Sequence, residues 1–347
     1  MDNIYICYAS SDLFSEPTGI SIISLLENNR HLPIAKIFIL DYGISDKNKD
    51  NFHTISEKYN IPFEFVRSKE IIEQKRDELG MTNFEGSMAT YSRAFIDLII
   101  PEYVDDLIYI DSDTVVAGNI SEMANMNMGD AVMSAIIGIN QYPLPGEPDN
   151  TELNLLSGNS KYYACGIVRY SISNWRKKDC LHLICETCKK LKHFTNADQT
   201  VINNAIPESW IIPLHPRFNS WLHELPVCYA KVELSRGGFL PEQQIQEAID
   251  NPTIHHYKGP LFRPWFKGSL SRANDVYFKY KALSPWKDTP LIVMDGLDSP
   301  NLWKRKNREL ELKTLGPRQK IKHLFVLKVY DFFAKTYRKY YRKYCIK

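Results

Sequence analysis

The sequence predicts an α/β fold: one sheet with helices packed on its faces. Two features of the first half point to it. Apolar runs of strand length alternate with helix-length segments, and a polar turn closes each apolar run. Residues 4–9 read as a buried first strand ending in Ser10-Ser11-Asp12, followed by a helix over 20–28. Residues 35–40 form the next strand and end at Asp41-Tyr42-Gly43. A helix over 47–59, an extended run over 63–66 and a helix over 91–99 follow. Residues 107–110 are a short strand with Asp111-Ser112-Asp113 at its C-terminal end. The stretch 126–250 is less regular, and its segment 141–150, with Pro143, Pro145, Gly146 and Pro148, reads as a wrapping surface loop.

The chain has 347 residues, 44% hydrophobic and 24% charged, which suffices for a sizeable core. A net charge of +2 hides an uneven distribution. The N-terminus lacks the basic segment and apolar core of a signal peptide. No apolar run approaches the roughly 20 residues that span a bilayer. Seven scattered cysteines suit a reducing compartment, so a cytoplasmic protein is expected. Cys185-Glu186-Thr187-Cys188, with Cys180, His182 and His193 nearby, has the look of a zinc cluster, but no second CxxC exists. Residues 179–192 instead read as a helix with structural thiols on its buried side.

Beyond Lys313 the chain is rich in Lys, Arg, Tyr and Phe, and Asp331 is its only acid there. Leu324, Leu327, Phe332, Phe333 and Tyr337 can share a helical face bordered by Lys328, Lys335, Arg338, Lys339, Arg342 and Lys343. A basic amphipathic helix with aromatics suits an anionic membrane surface. A solvated tail, a protein partner and nucleic acid are the rival readings, and nucleic acid is not expected.

In open α/β sheets ligands bind beyond the carboxyl ends of the strands, so Asp12 and Asp111 are expected at one crevice. The chain has no GxGxxG after its first strand and no GxxxxGK[ST]. A bound nucleotide then needs another neutraliser for its phosphates, and a cation held by carboxylates supplies one. Asp111 and Asp113, one residue apart at a strand end, can reach a single Mg²⁺ or Mn²⁺. Alone, such acidic pairs are common in turns.

The run Tyr91-Ser92-Arg93, then 107–116 with Asp111-Ser112-Asp113, then Gly118-Asn119-Ile120, resembles glycosyltransferase family 8. Asp198-Gln199-Thr200-Val201-Ile202-Asn203 is similar to that family's DQxxxN segment. His256-Tyr257-Lys258-Gly259-Pro260, with Arg263-Pro264-Trp265, is similar to its HYxGxxKPW segment. The similarity spans about residues 4–266. It implies a GT-A-type nucleotide-diphospho-sugar transferase fold with a single mixed sheet flanked by helices. It further implies a Mn²⁺-dependent UDP-hexose donor, with Mg²⁺ as the alternative ion, and transfer with retention. The division that follows is a catalytic domain over 1–270, with a nucleotide and metal half (1–125) and a sugar and acceptor half (126–270). Residues 271–347 form a helical, basic-aromatic, membrane-associating extension.

Carried over by position, Asp111, Asp113 and His256 would hold the metal, with the adjacent His255 as the alternative imidazole. Arg93 would reach the donor or, alternatively, position the acidic pair. Gly259 would let backbone approach the diphosphate, and Lys258 or Arg263 would supply positive charge there. Ala9 and Asp12 would meet the uracil and ribose with Phe14 stacking on uracil, and Ser112 would also meet the donor. Asp198 and Gln199 would lie at the reacting centre. Gln199 is a neutral amide and a poor nucleophile, so a front-face route is preferred over double displacement through Asp198. The chain departs from the family at Ala164, where Asn is usual, and lacks the Asp often found after the equivalent of Met133-Ser134-Ala135. Galactose is therefore not inferred over glucose. The expected activity is hexosyl transfer to a glycan, lipid-linked or other glycoconjugate acceptor in bacterial surface polysaccharide or lipopolysaccharide synthesis, on the inner face of the cell membrane. The alternatives are a protein O-glycosyltransferase of glycogenin type and an inactive sugar-nucleotide-binding module.

Overall fold

A computed structural model describes residues 3–81, 88–138, 161–191, 194, 196–221, 240–259, 262–269 and 271–293. The segment 141–150, His193 and the basic region beyond Lys313 lie outside the described residues.

Strands β1 (Ile4–Ser10), β2 (Ile34–Asp41), β3 (Phe63–Arg67) and β4 (Asp106–Ile110) form a parallel block. Strands β5 (Thr114–Val116), β6 (Met133–Ile137), β7 (Tyr163–Ser171), β8 (Ile211–Leu214) and β9 (Ile254–His256) follow. The main sheet runs β3-β2-β1-β4-β7-β6-β8. It is mixed because β7 is antiparallel to both β4 and β6. A second, two-stranded sheet pairs β5 with β9.

Both faces of the main sheet are covered. Side chains alternate across a strand, so Cys7, Phe38, Leu40 and Tyr109 enter one core. Ile6, Tyr8, Ile37, Ile39, Ile108 and Ile110 enter the other. Burial on both sides is why these strands read as continuous apolar runs rather than alternating ones.

Where the structure departs from the expected elements, packing is the reason. The first helix begins at Ser15, not residue 20, and runs Ser15–Asn28. Pro17 sits in its first turn, where the missing N–H would have no intrahelical partner. Gly19 lies mid-helix because the Trp286 ring occupies its side-chain space: a Cβ there would be 2.2 Å from the ring. The helix expected over 91–99 is broken into a 3-10 segment, Ala89–Arg93, and a short helix, Ile96–Ile99. A helix at Lys69–Leu79, not anticipated from the sequence, buries Ile72 in the first core and packs on the 3-10 segment Ala89–Arg93.

The thiols behave as core side chains. Cys180 and Cys188 of helix Cys180–Lys190 are buried, and Cys188 packs on Met81. Residues 271–293 place several side chains in the core, although the sequence reading grouped them with the extension. Helix Asn274–Lys281 packs on helix Ser15–Asn28: Lys281 Nζ lies 2.6 Å from Glu16 Oε1, and Asn28 Nδ2 donates to Tyr280 Oη at 2.6 Å. Tyr277, Tyr280 and Trp286 are buried in the second core. Among the described residues no helix is long and apolar enough to cross a membrane.

Candidate active site and divalent-cation centre

Strands β1 and β4 are adjacent and parallel, so their C-terminal ends open on the same edge. Three hydroxyls lock those ends together. Thr18 Oγ1 lies 2.9 Å from Ser10 Oγ and 2.8 Å from Ser112 Oγ, and Ser112 donates to the Ala9 carbonyl. The side chain of Ser112 thus faces the protein, and Asp111 and Asp113 on either side are free to face the crevice.

His256 arrives from far along the chain through strand pairing. In the β5–β9 ladder it sits opposite Thr114, and Tyr257 N donates to the Asp113 carbonyl at 2.8 Å. Its Nε2 is 3.1 Å from Asp113 Oδ1 and 3.8 Å from Asp111 Oδ2. One ligand atom from each of Asp111, Asp113 and His256 lies within 4.8 Å of the others. Two carboxylates and an imidazole suit a hard-to-borderline divalent cation, and the donor set fits such an ion. Gly166 on β7 makes room for the cluster: a Cβ there would stand 2.7 Å from both Asp111 Oδ2 and His256 Cε1.

Arg93 ties the cluster to a third acid. Its Nη1 lies 3.0 and 3.1 Å from the two Asp111 oxygens and also donates to the Cys165 carbonyl at 3.0 Å. Its Nη2 donates to Asp198 Oδ1 at 2.8 Å, and Nε is 2.8 Å from Asp198 Oδ2. The guanidinium also rests over Tyr109. A planar, always-charged fork is suited to hold two carboxylates at once. Arg93 thus bridges Asp111 and Asp198 in this network.

The carboxyls are held in different states. Burial pushes Asp198 up to about 7, despite Arg93. Burial likewise raises Asp111, opposed by Arg93 and His256. Asp113 is buried too, yet His256 and Arg263 hold it well below the usual carboxylate range. Arg263 Nη2 donates to Asp113 Oδ2 at 2.9 Å, and its guanidinium lies over the Phe14 and Trp265 rings. Asp113, Arg263 and Phe14 therefore meet at one wall of the crevice.

Asp198 and Gln199 begin helix Ala197–Ala205. Asn203 fixes that helix to β7 by accepting from Tyr163 N at 2.7 Å and donating to Tyr163 O at 2.8 Å. Gln199 Oε1 accepts from Cys165 N at 3.1 Å. The Asn of the DQxxxN segment is thus a strand-to-helix clamp.

The other expected residues have the following surroundings. The Asp12 carboxylate turns to the start of helix Asp46–Tyr59, where Oδ1 accepts from Ser45 N at 2.9 Å and Asn48 Nδ2 at 2.7 Å. Lys258 Nζ lies over the Trp221 ring at 5.2 Å. Gly259 has φ of +79°, a left-handed conformation that favours glycine. His255 is stacked on Tyr257, whereas His256 is the histidine that stands with Asp111 and Asp113. Gly166 and Asn219, whose Oδ1 is 2.7 Å from His256 Nδ1, were not picked out in the sequence. Gly166 lies in a run already noted for Ala164, whereas no sequence signal marks Asn219.

Comparison with known proteins gives the family and the fold. The pattern of glycosyl transferase family 8 matches residues 5–268. General stress protein A of Bacillus subtilis (strain 168) is 25% identical over 295 residues, covering 82% of this chain and 94% of that protein. Lipopolysaccharide 1,2-glucosyltransferase of Escherichia coli (strain K12) is 22% identical over 355 residues, covering 97% and 91%. Among solved structures, the galactosyltransferase LgtC with donor and acceptor sugar analogues superposes with a TM-score of 0.67 at 18% identity, covering 82% of this chain and 99% of that one. The mixed sheet is thus the GT-A-type fold that the resemblance implied. The chain belongs to glycosyl transferase family 8.

Proposed function

We propose that the chain is a retaining hexosyltransferase that uses a UDP-sugar and a divalent cation, Mn²⁺ in the first place, held by Asp111, Asp113 and His256. The observation that carries this is the convergence of those three side chains, from β4's end and β9, around a space that Gly166 leaves open. Bound there, a divalent cation acts as a Lewis acid that stabilises charge on a departing diphosphate. Arg263, beside Asp113 and over Phe14, supplies further positive charge at the same wall. Gly259, in its left-handed conformation, lets backbone come close to the diphosphate.

Asp198, buried, hydrogen-bonded at Oδ1 and ion-paired at Oδ2 by Arg93, is poorly placed as a nucleophile. This supports the front-face route, in which Asp198 holds donor-sugar hydroxyls. Gln199 Oε1, fixed by Cys165 N, presents its remaining lone pair near the reacting carbon. The acceptor hydroxyl then loses its proton to the leaving phosphate.

The relatedness to a lipopolysaccharide 1,2-glucosyltransferase supports a bacterial surface glycan as the acceptor. Glucose and galactose are the donor sugars to compare. The division at 125, a catalytic domain that runs on through helix Asn274–Lys281 rather than ending at 270, and the membrane role of the C-terminal segment belong to the same proposal. Only the basic-aromatic pattern beyond Lys313 supports that membrane role, on the inner face of the cell membrane.

A panel of UDP-sugars with Mn²⁺, scored by UDP release, tests the activity and the donor together. One sugar should be turned over, and Asp113→Asn should abolish that turnover. Release that Asp113→Asn leaves intact would refute the cation centre. Deleting residues 317–347 should reduce binding to anionic vesicles while sparing UDP release, and unchanged vesicle binding would remove the membrane role.

A further inference from the structure

We infer that Asn219 is a positioning residue for the cation centre: its side-chain oxygen holds the His256 ring so that Nε2 faces Asp111 and Asp113. This rests on the reading of those three residues as cation ligands.

The backbone places Asn219 with little freedom. It ends the 3-10 segment Pro216–Asn219, and the chain then runs beside β9. Thr253 N donates to Arg217 O at 2.8 Å, Ser220 N to Ile254 O at 2.9 Å, and His256 N to Ser220 O at 2.9 Å. The Ser220 hydroxyl donates to Ala248 O at 2.9 Å, which anchors the segment to helix Glu242–Asp250. Bonds on both sides of residue 219 therefore hold its side chain against the imidazole.

Asn219 is 1% exposed, and its Nδ2 has no hydrogen-bond partner among the described residues. Burying a carboxamide with an unmade bond is costly, on the order of 1–3 kcal/mol. An apolar side chain of similar size would avoid that desolvation. What the amide provides is its one polar contact, Oδ1 at 2.7 Å from His256 Nδ1.

That contact has a definite chemical consequence. A carbonyl oxygen can only accept, so Nδ1 carries the proton of this contact, and once a cation is bound Nε2 is the unprotonated nitrogen. Nε2, at 3.1 Å from Asp113 Oδ1, is then the nitrogen whose lone pair is left for a cation. An oxygen acceptor behind a ligating imidazole fixes both the tautomer and the ring plane. Gly166 complements this, because Cε1 of the same ring occupies the space a Cβ there would take. The ring is thus held by a hydrogen bond and admitted by a missing side chain.

The test measures Mn²⁺ affinity in the presence of UDP, from the free-ion signal in electron paramagnetic resonance, on the full chain. Asn219→Leu and Asn219→Ala, the second removing the acceptor without adding volume, should weaken Mn²⁺ binding by about 10–100-fold. Asn219→Asp keeps the acceptor and should bind within about threefold of the parent chain or more tightly. The decisive arm is coupling. If Asn219 acts through His256, adding Asn219→Ala to His256→Ala should change affinity by no more than about twofold beyond His256→Ala alone. A merely structural asparagine would weaken both backgrounds alike, and that outcome overturns the inference. So does parent-like affinity in Asn219→Ala, or an Asn219→Asp loss as large as that of Asn219→Ala. A parent chain that takes up no Mn²⁺ with UDP present instead overturns the cation reading, and this inference with it.

Discussion

Gly166→Ala adds a single methyl group at the point where β7 faces the acid–imidazole cluster. The new Cβ would stand 2.7 Å from Asp111 Oδ2, 2.7 Å from His256 Cε1 and 3.2 Å from His256 Nδ1, where ordinary contact begins at 3.4 Å. The strand is held on its β4 side, because Asp111 N donates to Gly166 O at 2.8 Å and the neighbouring Ile167 pairs with Ile110. The ligands must therefore move by several tenths of an ångström. Metal sites tolerate only about 0.2 Å of departure from their preferred distances. Displacing two of three ligands should lower Mn²⁺ affinity by at least the 10–100-fold typical of damage to supporting groups. Overpacking should also cost about 1–3 kcal/mol of stability. Mn²⁺ titration with UDP present measures the first effect, and urea unfolding measures the second. A Gly166→Ala chain with Mn²⁺ affinity and UDP release within about threefold of the parent would show that the cluster does not use this space.

Other expectations rest on the same network. Arg93→Ala leaves Asp198 buried without its cation and removes a partner of Asp111, so unfolding free energy should fall by about 3–5 kcal/mol. A loss below about 1 kcal/mol, as at exposed pairs, would contradict the buried bridge. Asp198 is raised from 3.8 to about 7, so between those values the folded chain keeps a proton that the unfolded chain releases. This group therefore makes stability fall as pH rises through that window, by at most about 1.4 kcal/mol per pH unit. The pH slope of unfolding free energy should be less negative in Asp198→Asn than in the parent; equal slopes would reject the raised carboxyl. Trp286→Ala empties a buried site against Gly19 and Phe52 and should cost about 3–5 kcal/mol by urea unfolding. An unchanged midpoint would mean that residues 271–293 do not stabilise the first helix.

The parallel block was legible in the sequence because strands buried on both faces leave continuous apolar runs, and polar turns mark where each one ends. The placement of Asp111 and Asp113 followed from the same pattern, since a strand's last residue is local information. The family's ordered segments added His256, Asp198 and Gln199 as candidates. They carried no distances.

The arrangement of those residues belongs to the tertiary structure. His256 reaches Asp113 only through the pairing of β5 with β9, and Arg263 reaches it across 150 residues. Arg93 shares itself between Asp111 and Asp198, which no spacing along the chain could indicate. The Asp12 carboxylate was drawn instead to the amides of a neighbouring helix start, a competition invisible to its own turn. Gly166 and Asn219 carry no chemistry as residue types; one matters for the space it leaves, the other for the atom it faces. Periodicity and polarity record which residues enter a strand or a crevice. Hydrogen bonds and excluded volume act between residues brought together only by folding, and they determine which of those residues form the centre.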